Sequence, residues 1–206
     1  MAESLDNLTS WHSDWSGLKV IVFGLGKTGF SVADTLTELG ATVLAVTDYA
    51  DDLHQNMCEV IGVDISFTDT ANPVPSGLGD FGADFVVVSP GYSPRHPLIA
   101  WARERGLPVL TDIDLAWRLR DKTGEPASWI LVTGTNGKTT TTQLAASMLF
   151  AGGHRVAPCG NIGIPILDAI RDPSGFDFLV IELSSYQLHY MGSVFPQSAV
   201  CLNFAD

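Results

Sequence analysis

The sequence is short of cysteine, of basic residues and of long apolar runs, and each shortage excludes a class of protein. Its three cysteines, Cys58, Cys159 and Cys201, are odd in number, far apart and without a CxxC pair. That argues against a disulfide framework or a zinc ribbon and points to the reducing cytoplasm. Lysine and arginine total 11 against 23 aspartates and glutamates, a formal charge of −12. A surface for nucleic acid or an anionic membrane needs the opposite balance, so neither is expected as a partner. No apolar run approaches the ~18 residues of a bilayer span. The opening, MAESLDNLTSWHSDW, is acidic and polar and does not read as a signal peptide. The histidines His12, His54, His96, His154 and His189 lack metal-ligand spacing. What the 206 residues do have is a globular composition, 46% apolar and 17% charged, in a chain long enough to bury a core without cross-links.

Short Val/Ile/Leu-rich runs alternate with helical patterns. Residues 18–23 (LKVIVF), 41–47 (ATVLAVT) and 85–89 (FVVVS) read as strands buried on both faces, and a further strand begins at Val109. Helices are predicted over 30–39 and 99–105. The order implies a parallel sheet with right-handed crossovers, an α/β fold of Rossmann-like form. Residues 121–128 (DKTGEPAS) read as a linker. A second β-loop-α unit follows: strand 129–133 (WILVT), a loop, and a helix to about Gly152, then strands at 178–182 (FLVIE) and 199–203 (AVCLN). The expected division is 1–123 and 124–206, the second unit being the first half of a P-loop-type α/β domain.

Two glycine loops carry the chemistry. Gly24-Leu25-Gly26-Lys27-Thr28-Gly29 fits G-x-G-x-x-G between a strand and a helix. Such a loop brings backbone and a helix N-terminus close to a phosphate, and Asp48, 19 positions beyond Gly29, stands where an acid meets a ribose hydroxyl. Ser89-Pro90-Gly91 sits at the carboxyl end of another strand, the edge where open α/β sheets bind ligands. Plainer readings stay open: glycines for helix–sheet packing, Asp48 as a solvated turn residue, an ordinary Pro-Gly turn. The stronger signal is Thr133-Gly134-Thr135-Asn136-Gly137-Lys138-Thr139-Thr140, although Val132 stands where the longer G-x-x-x-x-G-K-[ST] pattern needs glycine. Its amides are candidates to cradle ATP phosphates, Lys138 to reach the β/γ oxygens and Thr139 to ligate Mg²⁺. Glu182, ending a neighbouring strand, is a second candidate Mg²⁺ ligand, and otherwise a capping or solvated carboxylate. Asn161, in CGNIGIP, is a substrate contact or a turn residue.

TGTNGKTT, CGNIGIP and IELSSYQL, in this order, resemble the central ATPase domain of the Mur ligases, which build the peptide stem of peptidoglycan. FGLGKTG, Asp48 and SPG resemble the UDP-binding N-terminal domain of the family's D-glutamate-adding branch, whose short loop differs from the longer G-I-G-G-x-G of the alanine-adding branch. The resemblance implies ATP-dependent amide formation on UDP-N-acetylmuramoyl-L-alanine, through an acyl phosphate, with D-glutamate as the amine. It implies that Gly24, Leu25, Gly26, Lys27, Thr28, Gly29, Asp48, Ser89, Pro90 and Gly91 surround the UDP moiety, though Lys27 takes no firm role. It further implies that Gly134, Thr135, Asn136, Gly137, Lys138, Thr139 and Thr140 bind ATP and that Thr139 and Glu182 hold Mg²⁺. Asn161 contacts the substrate near its acyl group, with Ser184 and Gln187 close by, and Lys138, Asn161 and Glu182 are the implied catalytic set. The family's Asp-His pair, carbamylated lysine and amino-acid-binding C-terminal domain would follow Asp206, so a fragment inactive alone, and a monomer, is expected. Two other readings remain: a nicotinamide-dependent oxidoreductase, which leaves the second loop unexplained, and another nucleotide-binding P-loop protein.

Overall fold

The computed structural model describes residues 5–204; the first four residues of the polar opening stretch, and Asp206, lie outside them. The first half runs β1 (Lys19–Phe23), α1 (Lys27–Glu38), β2 (Thr42–Thr47), α2 (Asp52–Ile61), β3 (Asp64–Phe67), β4 (Phe85–Val88), α3 (Pro97–Glu104), β5 (Val109–Thr111) and α4 (Asp112–Leu119). The second runs β6 (Ser128–Thr133), α5 (Lys138–Ala151), β7 (Val156–Gly160), α6 (Ile166–Arg171), β8 (Phe178–Glu182), α7 (Ser185–Tyr190) and β9 (Ser198–Cys201). The strands form two sheets, ordered β3-β2-β1-β4-β5 and β7-β8-β6-β9. Every pairing is parallel. The fold is α/β, as the alternation of apolar runs and helical patterns implies.

Alternate residues of the central strands feed different cores, because successive side chains leave a strand on opposite faces. Val20 and Val22 of β1 join one cluster, Ile21 and Phe23 the other. The larger cluster is shared by both sheets: it holds Leu36 of α1, Leu119 of α4, Ile166 and Ile170 of α6, and Leu131 and Ile181 of the second sheet. α6 packs on α1 and α4, so these three helices join the two halves.

The first helix starts at Lys27, three residues before the expected Phe30, so Gly29 belongs to its first turn. Elements without a strong apolar pattern went unread. Among them α2 buries only Cys58, and β3 is an edge strand with no buried residue. β7 carries Pro158, which an edge strand tolerates because one side of it needs no ladder hydrogen bonds. Among the described residues no helix is long and apolar enough to cross a membrane.

Candidate functional site

The first sheet reverses its strand order between β1 and β4, and the loops that follow these two strands meet there. That is the crevice where doubly wound sheets hold ligands. Gly24 (φ 90°) turns the chain sharply. A Cβ on it would lie 2.8 Å from Tyr92 and 3.0 Å from the Ser89 hydroxyl. A Cβ on Gly29 would lie 1.9 Å from the Gly24 carbonyl oxygen. Both glycines are therefore required by the chain's own packing. Gly26 differs: nothing stands within 4 Å of its Cβ position, and it caps α1 without a side-chain hydrogen bond. Leu25 is buried in the core, so only its backbone faces the loop, whereas Lys27 is exposed.

Ser89 donates from its hydroxyl to the Gly24 carbonyl at 3.3 Å, tying the two loops together. Gly91 is absent from the left-handed glycines, so the Ser89-Pro90-Gly91 turn does not use glycine's access to that region. Gly24, Gly26, Thr47, Asp48, Ser89 and Tyr92 are among the residues lining a cavity of about 280 Å³. Asp48 is exposed at its rim. Tyr92 was not found by sequence reasoning. Burial and the charge of Asp48 push its hydroxyl up to about 12, and burial lowers His96 against the opposing pull of Asp48.

The second site is built by the order of the second sheet. β8 lies between β6 and β7, with Glu182 in register with Val132 on one side and Gly160 on the other. Its last residue is thus placed between the loop after β6 and the loop after β7. Glu182 is buried. One carboxylate oxygen accepts from the Thr139 hydroxyl at 2.7 Å and the other from the Asn161 amide at 3.2 Å. The Asn161 backbone N–H also donates to the Glu182 carbonyl at 3.0 Å. Three residues from three segments, spread over 43 positions, meet in one group.

Gly134 (φ 144°) and Gly137 (φ 83°) shape the loop, and Gly137 opens α5 with no side-chain cap. The Lys138 ammonium donates to the carbonyls of Gly134 at 2.8 Å and Thr135 at 3.3 Å. Thr135, Asn136 and Thr140 are exposed. Asn203, just beyond β9, holds the loop from the side. Its carbonyl accepts from the Thr135 N–H at 3.3 Å, its side-chain oxygen from the Asn136 N–H at 3.0 Å, and its amide donates to the Asn136 carbonyl at 3.0 Å. No local pattern announces this clamp, because the partners lie 67 positions apart.

Ser184 and Gln187 form a capping box on α7. The Ser184 hydroxyl accepts from the Gln187 N–H at 3.1 Å, and the Gln187 side-chain oxygen from the Ser184 N–H at 2.9 Å. Gln187 is buried, and its amide donates to Asp112 Oδ1 at 2.8 Å. Asp112, at the start of α4, is 1% exposed, and its Oδ2 has no hydrogen-bond partner. Burial pushes this carboxyl up to about 6, with the Gln187 hydrogen bond opposing and Asp114 adding to the rise. Burial, and Asp112 beside it, raise the Cys159 thiol as well. Sequence reasoning missed Asp112; its only signal was the capping pattern Thr111-Asp112-Ile113-Asp114.

Comparison with known proteins agrees with this architecture. Residues 18–111 match the Mur ligase MurD-like N-terminal domain, and residues 132–206 the Mur ligase middle domain. The UDP-N-acetylmuramoylalanine–D-glutamate ligase of Leifsonia xyli subsp. xyli is 59% identical over 215 residues, covering 99% of this chain and 42% of that protein. The same-named ligase of Tropheryma whipplei (strain Twist) is 47% identical over 212 residues, covering 98% and 42%. The chain thus spans about two fifths of the length of these curated relatives. Among solved structures, the murein peptide ligase of Psychrobacter arcticus superposes with a TM-score of 0.55 at 21% identity, over 92% of this chain and 44% of that one. The UDP-N-acetylmuramate:L-alanyl-γ-D-glutamyl-meso-diaminopimelate ligase of Neisseria gives 0.52 at 22%, over 92% and 61%; both likenesses concern the fold. With its two halves matched by successive domains of one family, and its whole length by the D-glutamate ligases, this chain belongs to the Mur ligase family.

Proposed function

We propose that the full-length protein is an ATP-dependent ligase joining D-glutamate to UDP-N-acetylmuramoyl-L-alanine. On this reading residues 1–123 receive the UDP part of the substrate and 124–206 supply much of the ATP site. The observation that carries it is the meeting of Thr139, Glu182 and Asn161 at the mouth of a lysine-bearing phosphate loop. The names of the relatives, 59% and 47% identical over nearly the whole chain, support the choice of substrates.

The residues present fit ATP and Mg²⁺. A threonine hydroxyl and a carboxylate are hard oxygen donors of the kind Mg²⁺ takes alongside phosphate oxygens and water. α5 begins without a side-chain cap, leaving its first amides for phosphate. When bound, Mg²⁺ neutralises phosphate charge and orients the transferring group. Lys138 exchanges its loop carbonyls for β/γ-phosphate oxygens, and the amides from Gly137 to Thr140 cradle the phosphates, those of Thr135 and Asn136 being held by Asn203. Asn161 orients the Glu182 carboxylate and meets the substrate near its acyl group, with Ser184 at the edge. Gln187 supports Ser184 from beneath. In the first half, Gly26 and the backbone around it take the diphosphate, Asp48 the ribose, and Ser89-Pro90-Gly91 the facing side. The alanine carboxylate attacks the γ-phosphorus, ADP departs, and the D-glutamate amine displaces phosphate from the acyl phosphate. The chain's contribution is positioning and charge neutralisation among groups that repel one another. The reading places the reaction in the cytoplasm and needs one copy of the protein.

Calorimetric titration with UDP-N-acetylmuramoyl-L-alanine, with NADH in parallel, tests it. Saturable binding of the UDP compound alone is expected. Binding of NADH alone would overturn the reading in favour of an oxidoreductase domain.

A further inference from the structure

The two candidate substrate loops lie on different sheets, and each opens a helix. The loop at Gly24–Gly29 leads into α1, and the Asn161 loop leads through Pro165 into α6. These helices pack together, and part of their shared face is polar. Ser31, Asp34, Thr35 and Glu38 of α1 have the i, i+3, i+4, i+7 spacing of one helical face. Asp168 and Arg171 stand one turn apart on α6. The Ser31 hydroxyl donates to Asp168 at 2.5 Å. The Arg171 guanidinium donates to Asp34 at 2.5 Å, to the Thr35 hydroxyl at 3.4 Å and to Glu38 at 2.9 Å. Glu38 also accepts from Lys122, in the segment between the sheets, at 2.5 Å. Although burial opposes it, the Lys122 hydrogen bond and the Arg171 charge hold the Glu38 carboxyl below its ordinary value.

Ser31 and Thr35 are buried among apolar neighbours, where an aliphatic pair would fill the same space. The ion pairs are partly exposed, with side-chain exposures of 23% for Arg171, 29% for Asp34 and 40% for Glu38. Such a partly exposed network makes at most a modest contribution to stability, one that apolar packing could also supply. What directional bonds add, and an apolar contact does not, is a single register between the helices. We propose that Arg171 is a positioning residue: by locking α6 to α1 it fixes the span between the glycine loop and the Asn161 loop for one ligand that reaches both. This rests on the substrate proposed above, whose UDP end and acyl end would lie on different sheets.

The test compares two ligands on the full-length ligase by calorimetry: UDP, which touches only the first loop, and UDP-N-acetylmuramoyl-L-alanine, which spans both. In Arg171→Met the spanning ligand should bind about tenfold more weakly, since a misplaced second site loses preorganised contacts. UDP should stay within about twofold of wild type, because its own loop is untouched. Arg171→Lys, which keeps the charge, should recover part of the loss. Asp34→Asn, which leaves Arg171 its bonds to Thr35 and Glu38, should show a smaller loss of the same selectivity and serves if Arg171→Met does not fold. Equal binding of the spanning ligand by wild type and variants, or an equal loss for both ligands, overturns the proposal alone. A wild-type protein that binds neither ligand overturns the substrate reading and this inference with it.

Discussion

Two glycine loops in this chain each join a buried parallel strand to a helix, yet their glycines answer to different atoms. In the first, Gly24 and Gly29 are packed against the protein itself: a Cβ at Gly29 would strike the Gly24 carbonyl at 1.9 Å. Only Gly26 opens onto free space. In the second, Gly137 has just Leu202 within 4 Å of its Cβ position, at 3.6 Å, and the loop is held from outside by Asn203. The first loop folds back on itself at Gly29 and is packed against Ser89 and Tyr92 of the loop after β4. The second is clamped along its backbone by Asn203, while Lys138 rests on its carbonyls. Similar sequence patterns can therefore carry different divisions between packing and ligand duty.

The largest expected effect separates the glycines of the first loop. Gly29→Ala should destabilise the protein by about 3 kcal/mol or more, because the contact is with backbone and cannot be relieved by a rotamer. Gly26→Ala should cost less than about 1 kcal/mol in folding, since the new methyl meets nothing. Denaturant midpoints measure both, and equal losses would dissolve the distinction. On the second loop, Lys138→Ala in the full-length enzyme should lower kcat/KM at least ~10²-fold, about 2.7 kcal/mol, with UDP binding unchanged. A smaller loss removes Lys138 from the set of residues that bind the β/γ-phosphates.

Asp112 sharpens the comparison behind the second loop. A carboxyl raised in the folded state to about 6 resists ionisation there. The stability that Asp112 contributes should therefore be lost as pH rises from near 4, where the unfolded group ionises, through 6, and then level off. Asp112→Asn keeps a carbonyl acceptor for Gln187 and cannot ionise. Over that window its stability should rise relative to wild type by about 3 kcal/mol, from roughly two units at ~1.4 kcal/mol each. Urea titrations at pH 4 and pH 7 supply the measurement, and a difference independent of pH contradicts it. The smallest effect belongs to the clamp: Asn203→Ala removes two side-chain hydrogen bonds and should raise KM for ATP severalfold, about 1 kcal/mol. An unchanged KM for ATP would show that the loop keeps its shape without Asn203.

Much of the second site was legible because its parts are local. A phosphate loop is contiguous, and Glu182 ends an apolar run that reads plainly as a buried strand. The same contiguity exposed β1, β2, β4, β6 and β8, all central in their sheets or next to the centre. Asn203, Tyr92, Asp112 and Arg171 were not legible in these roles. Their partners lie tens of positions away or more, and no periodicity links a side chain to a contact made across two sheets. The Gln187 amide is the clearest instance, for sequence placed it beside Ser184 while its buried bond to Asp112 crosses 75 positions.

By itself, then, the sequence determined the parallel α/β class, the two glycine loops and the order of their strands and helices, because hydrophobic period and backbone conformation are short-range properties. The tertiary structure decided which glycines serve packing, which distant residue clamps the phosphate loop, and how α1 and α6 lock the two halves together. Those outcomes depend on strand order and helix register, which arise only when distant segments bury a common core.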